Sequence, residues 1–281
     1  MILIADCGST KIDWCVVRNG KVEKQVFTCG MNAVMLTEEE MRTRIAAELM
    51  PELADRAEGI EAVYFYGAGC ISPEVCANVE RAIRANIPAA KTVDVHTDLL
   101  AAARALCGRE PGIACIMGTG SNSCFYDGDK ICCNISPLGY ILGDEGSGAV
   151  LGKLLVGAVL KQQLPVDLCE KFLAQYDLTL LDIIRRVYKE PQGNRFLASL
   201  TPFLIENIDR PEVRALVLGS FRDFFRRNVA HYKGMCPPVA NFIGSIAYYY
   251  SDPLTEAAAA EGFDIGTILK SPMEGLVKFH S

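Results

Sequence analysis

The chain begins with three short apolar segments separated by small or polar residues. Residues 2–6 and 12–18 are the first two segments, and residues 22–28 form the third, after the pair Asn19-Gly20. An Asn-Gly pair between apolar segments strongly indicates a tight β-hairpin. The pattern therefore predicts three consecutive strands. The first turn between them is Asp6-Cys7-Gly8-Ser9-Thr10-Lys11.

The same layout recurs later in the chain. Residues 112–117, 123–126 and 130–135 are apolar, with Asp127-Gly128 between the last two segments. The first turn of this copy is Gly118-Thr119-Gly120-Ser121-Asn122, which contains only small and polar residues. Sequence identity between the copies is low, but the order of strands and turns is the same. We interpret the two copies as an internal repeat of one supersecondary unit.

Helical and strand patterns alternate through the rest of the chain. Between the copies, the spacing of apolar residues predicts a helix over 38–57, a strand over 61–66, a helix over 73–85 and a strand over 92–96. Asp98 then stands at an N-cap position before a helix over 99–106. After the second copy, helices are predicted at 145–161, 165–175, 179–190, 195–208, 211–233 and 246–261, with strands at 239–243 and 263–269. This alternation indicates an α/β fold with mixed sheets.

Composition narrows the class of protein. A length of 281 residues suggests roughly two domains. The net charge is −6 and the basic residues are scattered, which argues against a nucleic-acid groove. No segment approaches the ~20 apolar residues of a membrane span, and the first residues lack a signal peptide's basic region. We therefore expect a cytoplasmic protein that binds neither nucleic acid nor membrane.

The chain has twelve cysteines and three histidines, but their spacing supports neither disulfide bonds nor a metal site. The cysteines include no C-x-x-C motif, and the histidines are far apart in the sequence. Without a secretory signal, disulfide bonds are not expected. A zinc or histidine-based metal site has little support either.

The two small-residue turns have a plain and a chemical interpretation. Each could be an ordinary hairpin turn, or backbone N–H groups and hydroxyls there could bind phosphate oxygens. For the first turn alone, a plain hairpin turn and a phosphate-binding turn are equally supported. The recurrence of the turn in the second copy favours phosphate binding. Asp6, at the strand end, could position a magnesium ion through water. Neither turn matches a P-loop or a dinucleotide-binding fingerprint, so a nucleotide site here has another architecture.

These motifs resemble a known superfamily. The Asp-x-Gly-Ser-Thr-Lys hairpin, the Gly-Thr-Gly-Ser-Asn hairpin and a late Gly244-Ser245 after a strand are similar to those of the sugar kinase, actin and heat-shock chaperone fold. Within it, the chain resembles the N-acetylglucosamine kinase-like branch of the BadF/BadG/BcrA/BcrD ATPase family. The resemblance is most specific over residues 118–122 and 143–147.

The resemblance implies two ribonuclease-H-like domains of the actin-like ATPase fold, with ATP and sugar in a central cleft. We expect an N-terminal domain over 1–106, completed by 265–281, and a second domain over 107–264. The implied activity is ATP-dependent phosphorylation of an amino sugar, with N-acetylglucosamine and its 6-hydroxyl favoured. ATP and Mg²⁺ are the implied cofactors. The oligomeric state is left open, with a homodimer as one option.

The resemblance also implies roles for individual residues. Asp98 would be the catalytic base, and Asp6 would lie near magnesium. The residues implied to bind ATP are Gly8, Ser9, Thr10, Lys11, Gly118, Thr119, Gly120, Gly244 and Ser245. The residues implied to bind the sugar are Asn32, Asp98, Ser121, Asn122, Gly139 and Asp144.

Several alternatives stay open at this point. Asp98 could be only a helix cap, Asp144 and Glu145 could be acidic residues in a helix's first turn, and Asn32 could be a turn asparagine. Many kinases of this branch have Trp where this chain has Leu138, so glucosamine or N-acetylmuramic acid could replace N-acetylglucosamine. Cys7 and Ser9 also stand where relatives often have Gly. Other classes are an ATPase that activates an electron-transfer enzyme and a sugar sensor without catalysis.

Overall fold

The computed structural model describes residues 1–8 and 11–281. Ser9 and Thr10, which the sequence analysis assigns to the first phosphate turn, lie outside the described residues. The chain divides into two compact units. The first unit contains Met1–Glu110 and Ser271–Ser281, and the second contains Pro111–Lys270. Each unit is built on a five-stranded mixed sheet.

The first sheet contains the N-terminal hairpins. Its strands are β1 (Ile2–Cys7), β2 (Lys11–Arg18), β3 (Lys21–Cys29), β4 (Ala62–Gly67) and β5 (Thr92–Thr97), in the order β3-β2-β1-β4-β5. β1, β2 and β3 pair antiparallel, while β4 and β5 extend the sheet in parallel with β1. Asn19 and Gly20 both have positive φ, as the tight hairpin turn requires.

The second sheet repeats this topology. Its strands are β6 (Gly112–Met117), β7 (Ser121–Tyr126), β8 (Ile131–Ile135), β9 (Val239–Ile243) and β10 (Asp264–Leu269), in the order β10-β9-β6-β7-β8. In both sheets an antiparallel three-stranded segment continues into two parallel strands. The internal repeat inferred from the turn pattern is therefore a repeat of sheet topology.

Helices surround the sheets. They are α1 (Glu38–Arg44), α2 (Met50–Leu53), α3 (Pro73–Asn86), α4 (Asp98–Cys107), α5 (Gly139–Leu142), α6 (Gly148–Leu160), α7 (Val166–Tyr176), α8 (Leu180–Tyr188), α9 (Gly193–Ala198), α10 (Pro202–Glu206), α11 (Pro211–Arg227), α12 (Ser245–Tyr249), α13 (Ser251–Ala260) and α14 (Met273–Phe279). A π-helical segment, Ile45–Leu49, joins α1 to α2, and short 3₁₀ segments follow α2 and α11. No described helix is long and apolar enough to cross a membrane.

Two predicted helix starts are wrong. The side chain of Thr97 accepts the N–H of Leu100 and caps α4, so Asp98 is the first helical residue and not the N-cap. Helix α6 begins at Gly148 and is capped by Ser147, so Asp144 and Glu145 lie before the helix and not in its first turn. Asp98 is therefore not a helix N-cap, and Asp144 and Glu145 are not residues of a helix's first turn.

Several predicted helix lengths also need correction. The helix expected over 195–208 is two helices, α9 and α10, with Pro202 at the start of the second. The helix over 211–233 ends at Arg227, and the helix over 246–261 divides at Tyr250. Helices α5 and α14 are not indicated by the apolar pattern.

The two faces of the first sheet are covered by different helices. Leu3, Ala5 and Trp14 point to the core shared with α1 and α3. Ile4 and Val17 point to the other face, where Ala101 of α4 and Leu276 of α14 cover them. Because side chains alternate along a strand, Asp6 lies on the face of α4 and α14.

Candidate functional site

Three carboxylates gather at one edge of the first sheet. Asp6 lies near the carboxyl end of β1, and Asp13 on β2 is its direct cross-strand partner. Opposite residues of an antiparallel pair share one face of the sheet. Asp98 follows β5, which runs parallel to β4 and β1, so it reaches the same edge. This is the edge where α/β sheets collect their ligands.

Burial and mutual repulsion change the titration of these carboxylates. Burial, then the charges of Asp13 and Asp98, raise the pKa of Asp6 from 3.8 to about 7, against a lowering by Lys11. Burial also raises the pKa of Asp98, although the N–H of Leu99, 2.9 Å from Oδ1, opposes this shift. A buried carboxylate with a raised pKa is a better proton acceptor than an exposed one.

Asp13 is a polar residue of this edge that the sequence analysis missed. It is 8% exposed, and Nε2 of Gln25 donates to both of its carboxylate oxygens, at 2.8 and 2.9 Å. The available signal was one acidic residue inside an otherwise apolar strand, Lys11–Arg18. Its importance depends on the strand register that places it opposite Asp6.

Asn32 lies close to the same edge. Its Oδ1 accepts the N–H of Val34 at 3.1 Å, so it does form the turn that asparagine favours. A Cβ on Gly69, in the loop after β4, would lie 2.8 Å from the same oxygen. The thiol of Cys7 donates to the carbonyl of Met31 at 3.1 Å and holds this turn against β1. Asn32 is therefore next to the ends of β1 and β4.

The ammonium group of Lys11, a residue expected to bind phosphate, packs against an aromatic ring. Its Nζ lies 5.0 Å from the ring centroid of Phe27 on β3, a cation–π arrangement. The carbonyl of Lys11 accepts the N–H of Gly8 and closes the hairpin turn.

In the second unit, the turn Gly118-Thr119-Gly120 is oriented by helix α6. The carbonyl of Gly118 accepts the N–H of Gly148 at 2.8 Å, and the carbonyl of Thr119 accepts the N–H of Ala149 at 3.0 Å. In a trans peptide the N–H points opposite to the C=O. The N–H groups of Thr119 and Gly120 are therefore turned away from α6, with no acceptor among the described residues.

Asp144 is held beside this turn in a left-handed conformation with φ of +54°. The N–H of Ser121 lies 3.4 Å from Oδ1, and a Cβ on Gly120 would meet Oδ2 at 3.2 Å. Burial raises the pKa of Asp144 to about 6. A strained, partly buried carboxylate beside an open backbone turn is typical of a binding site.

The loop around Asp144 is fixed by contacts from distant residues. Glu145 accepts from Arg227 at 3.1 Å and from Asn228 at 3.3 Å, and the N–H of Gly146 donates to Ser220 at 3.2 Å. Ser121 donates to the carbonyl of Glu145 at 2.8 Å. The carboxylate of Glu145 therefore anchors the loop. Asp144 is the acidic residue of this loop that could bind a ligand.

The remaining predicted residues lie around the same sheet. Oδ1 of Asn122 accepts from Asn134 at 2.8 Å. Gly139 has φ of +73° and begins α5. Gly244 has φ of +127°, and a Cβ there would lie 2.4 Å from the carbonyl oxygen of Met117. Ser245 follows it at the start of α12. The structure thus collects the predicted residues into two groups, one in each unit.

The carboxylates at this edge could hold a magnesium ion through water but do not surround one. Among the described residues, no group of three or more His, Cys, Asp or Glu side chains could enclose a metal. Mg²⁺ keeps several waters and takes one or two carboxylates plus substrate phosphates. Asp6, with its raised pKa, is a carboxylate whose charge a nearby cation would stabilise. The residues therefore fit water-mediated placement and not a protein cage.

Comparison with solved structures defines the class of protein. A structure from Chromobacterium violaceum, named "Putative N-acetylglucosamine Kinase", has a TM-score of 0.67 at 17% identity, covering 100% of this chain and 99% of that one. A Listeria monocytogenes protein described as "a putative N-acetylmannosamine kinase" has a TM-score of 0.53 at 14% identity, covering 99% and 96%. At these identities the likeness shows the fold alone. The fold is that of the actin-like ATPases and sugar kinases.

A more similar structure shows the family. The "Putative N-acetylglucosamine Kinase" from Porphyromonas gingivalis has a TM-score of 0.95 at 48% identity, covering 100% of this chain and 98% of that one. The chain belongs to the same N-acetylglucosamine kinase-like family of sugar kinases. The resemblance inferred from the sequence is thereby confirmed. No protein-family model matches the chain, and no curated protein matches it either.

Proposed function

We propose that this protein transfers the γ-phosphoryl group of ATP to an amino sugar, with N-acetylglucosamine and its 6-hydroxyl as the substrate and acceptor. The observation that carries the proposal is the position of Asp98. It is a half-buried carboxylate with a raised pKa, at the edge of the sheet that also holds Asp6 and Asn32. Full-length identity of 48% to the P. gingivalis protein supports the same class of reaction.

Asp98 is the proposed general base. Phosphoryl transfer to a hydroxyl needs a group that positions the nucleophile and accepts its proton. The raised pKa of Asp98 brings it closer to neutral pH, where proton transfer from the sugar hydroxyl is more favourable. Asn32 supplies amide hydrogen-bonding groups close to this edge and is proposed to orient the sugar.

The turn Gly118–Gly120 is the proposed phosphate-binding segment. Two of its N–H groups are turned away from α6 and lack acceptors among the described residues, so they are available to phosphate oxygens. The exposed hydroxyl of Thr119 adds a further donor. Gly8 and Lys11 are the described residues proposed for the first phosphate turn, and Gly244 and Ser245 are proposed to approach the adenosine.

Asp144 is proposed to accept hydrogen bonds from sugar hydroxyls, with Ser121, Asn122 and Gly139 near it. A site built to bind hydroxyls discriminates strongly against analogues that lack them. Magnesium, when bound with the nucleotide, would neutralise phosphate charge, and Asp6 would hold it through water. Gln25 would hold the carboxylate of Asp13, the cross-strand partner of Asp6, in place.

The proposal is tested by measuring ADP release with a panel of sugars. The panel contains N-acetylglucosamine, glucosamine, N-acetylmannosamine, N-acetylmuramic acid and glucose, each at the same concentration with Mg-ATP. We expect the highest kcat/KM with N-acetylglucosamine. A higher kcat/KM for another sugar would contradict N-acetylglucosamine as the substrate but would still support a sugar kinase. ADP release that no sugar stimulates would contradict a sugar kinase.

A further inference from the structure

Two neighbouring tyrosines are exposed on helix α12, directly after Gly244. Tyr248 is 48% exposed and Tyr249 is 55% exposed, whereas the next residue, Tyr250, is buried. Their ring centroids are 5.4 Å apart with an interplanar angle of 87°. This edge-to-face geometry is favourable for an aromatic pair. One ring of such a pair can present its flat face to a ligand while the other supports its edge.

A lysine completes the arrangement. Lys270 follows β10, and its Nζ donates to the hydroxyl of Tyr249 at 2.7 Å. The same nitrogen lies 5.0 Å from the ring centroid of Tyr249 and 5.9 Å from that of Tyr248. Lys270 therefore fixes Tyr249 more closely than Tyr248, which leaves Tyr248 as the ring available for a new contact.

The helix that carries the tyrosine pair begins beside the proposed phosphate turn. A Cβ on Gly244 would meet the N–H nitrogen of Gly118 at 3.1 Å, so the chain before α12 touches this turn. The N–H of Tyr248 donates to the carbonyl of Gly244 at 3.0 Å, and positions four apart lie on one face of a helix. β9 and β10 are parallel to β6, so Gly244, Lys270 and the turn share the carboxyl edge of the sheet.

We infer that the face of Tyr248 stacks on the purine base of the nucleotide, with Tyr249 and Lys270 holding its ring in place. The inference rests on the proposed function, because it takes the bound phosphates to lie at Gly118–Gly120. A nucleotide whose phosphates occupy this turn would extend its base along the same edge. Stacking uses the π-face of the base and needs no hydrogen-bonding partner, which suits an exposed aromatic ring.

The expected effect follows from measured stacking energies. Loss of one base–aromatic stack weakens binding by roughly 5- to 150-fold. Tyr248→Ala should therefore raise the dissociation constant for ATP by that factor, while Tyr248→Phe should leave it nearly unchanged. Binding of inorganic triphosphate, which has no base, should be the same in both variants and in the wild type.

The experiment is titration calorimetry with Mg-ATP and with magnesium triphosphate, in the absence of sugar. Tyr188→Ala is the matched control, because Tyr188 is 74% exposed and lies on α8 in the same unit. If Tyr248→Ala lowers the affinities for ATP and for triphosphate equally, or leaves both unchanged, the stacking role of Tyr248 is wrong. A wild-type protein that binds triphosphate as tightly as ATP would overturn it too. A wild-type protein that binds neither would contradict the proposed function as well.

Discussion

Replacing Asp6 by Asn should stabilise the ligand-free protein at high pH. In the folded protein Asp6 holds its proton up to about pH 7, whereas the ordinary pKa is 3.8. The folded state thus binds a proton that the unfolded state has already lost. The stability from this group is present below pH ~4 and is lost as the pH rises toward 7. Asn has nearly the same shape and carries no charge at any pH.

The size of the effect follows from the pKa shift. The rise of the pKa of Asp6 from 3.8 to about 7 corresponds to a ceiling of about 4 kcal/mol. Asp6 is half-buried and contact with water reduces the penalty, so we expect a gain of about 1–3 kcal/mol for Asp6→Asn at pH 8. At pH 4.5, where Asp6 is protonated in the folded state, the two proteins should differ by much less.

Trp14 provides the assay. It is the single tryptophan of the chain, it is 1% exposed, and it lies next to Asp13 on β2. Its fluorescence during urea denaturation, with EDTA and without nucleotide, reports the unfolding of the first unit. Asp55→Asn, at an exposed position of the same unit, is the control. A stability difference for Asp6→Asn that is equal at pH 4.5 and 8, or a destabilised variant at pH 8, would refute this reasoning.

Three further predictions concern the second unit. Thr119→Val should raise the KM for ATP several-fold by removing a hydroxyl hydrogen bond of about 1 kcal/mol, with the sugar KM unchanged; an unchanged KM for ATP would remove Thr119 from the site. Asp144→Asn should weaken sugar binding in calorimetry but keep ATP binding, and it should abolish the loss of sugar affinity expected below about pH 6, where Asp144 becomes protonated. Equal sugar affinity in wild type and variant would exclude Asp144. Ser147→Ala should lower the free energy of unfolding by about 1 kcal/mol through loss of the α6 cap, and an unchanged melting temperature would contradict that role.

The strands and their hairpins could be predicted because their signals are local, whereas the parallel pairings join strands that are far apart in sequence. Short apolar segments with Asn-Gly, Asp-Gly and small-residue turns between them give the hairpins of both sheets directly. The repetition of that pattern also gives the repeat of topology. The start of α4 was misplaced by one residue because Thr97 and Asp98 are both favoured cap residues, and only the hydrogen bond to Leu100 distinguishes them.

The remaining parts of the site depend on distant contacts. The loop with Asp144 is held out of the helix by Ser220, Arg227 and Asn228, which lie far away in sequence. Asp13 gains its importance only from the register that sets it opposite Asp6. Helix α14 has seven residues and packs on α4, so its own sequence carries too little periodicity to predict it.

The most direct test of the central claim is the turnover number of Asp98→Asn with Mg-ATP and N-acetylglucosamine. Thr97 caps α4 and Asp98 is its first residue, so the variant should fold with a nearly unchanged melting temperature. Asn cannot accept the hydroxyl proton, and a general base contributes roughly 10²- to 10⁴-fold in rate. We predict that kcat falls on that scale while calorimetry shows both substrates still bound. A kcat within a few-fold of the wild type would contradict the assignment of Asp98 as the base.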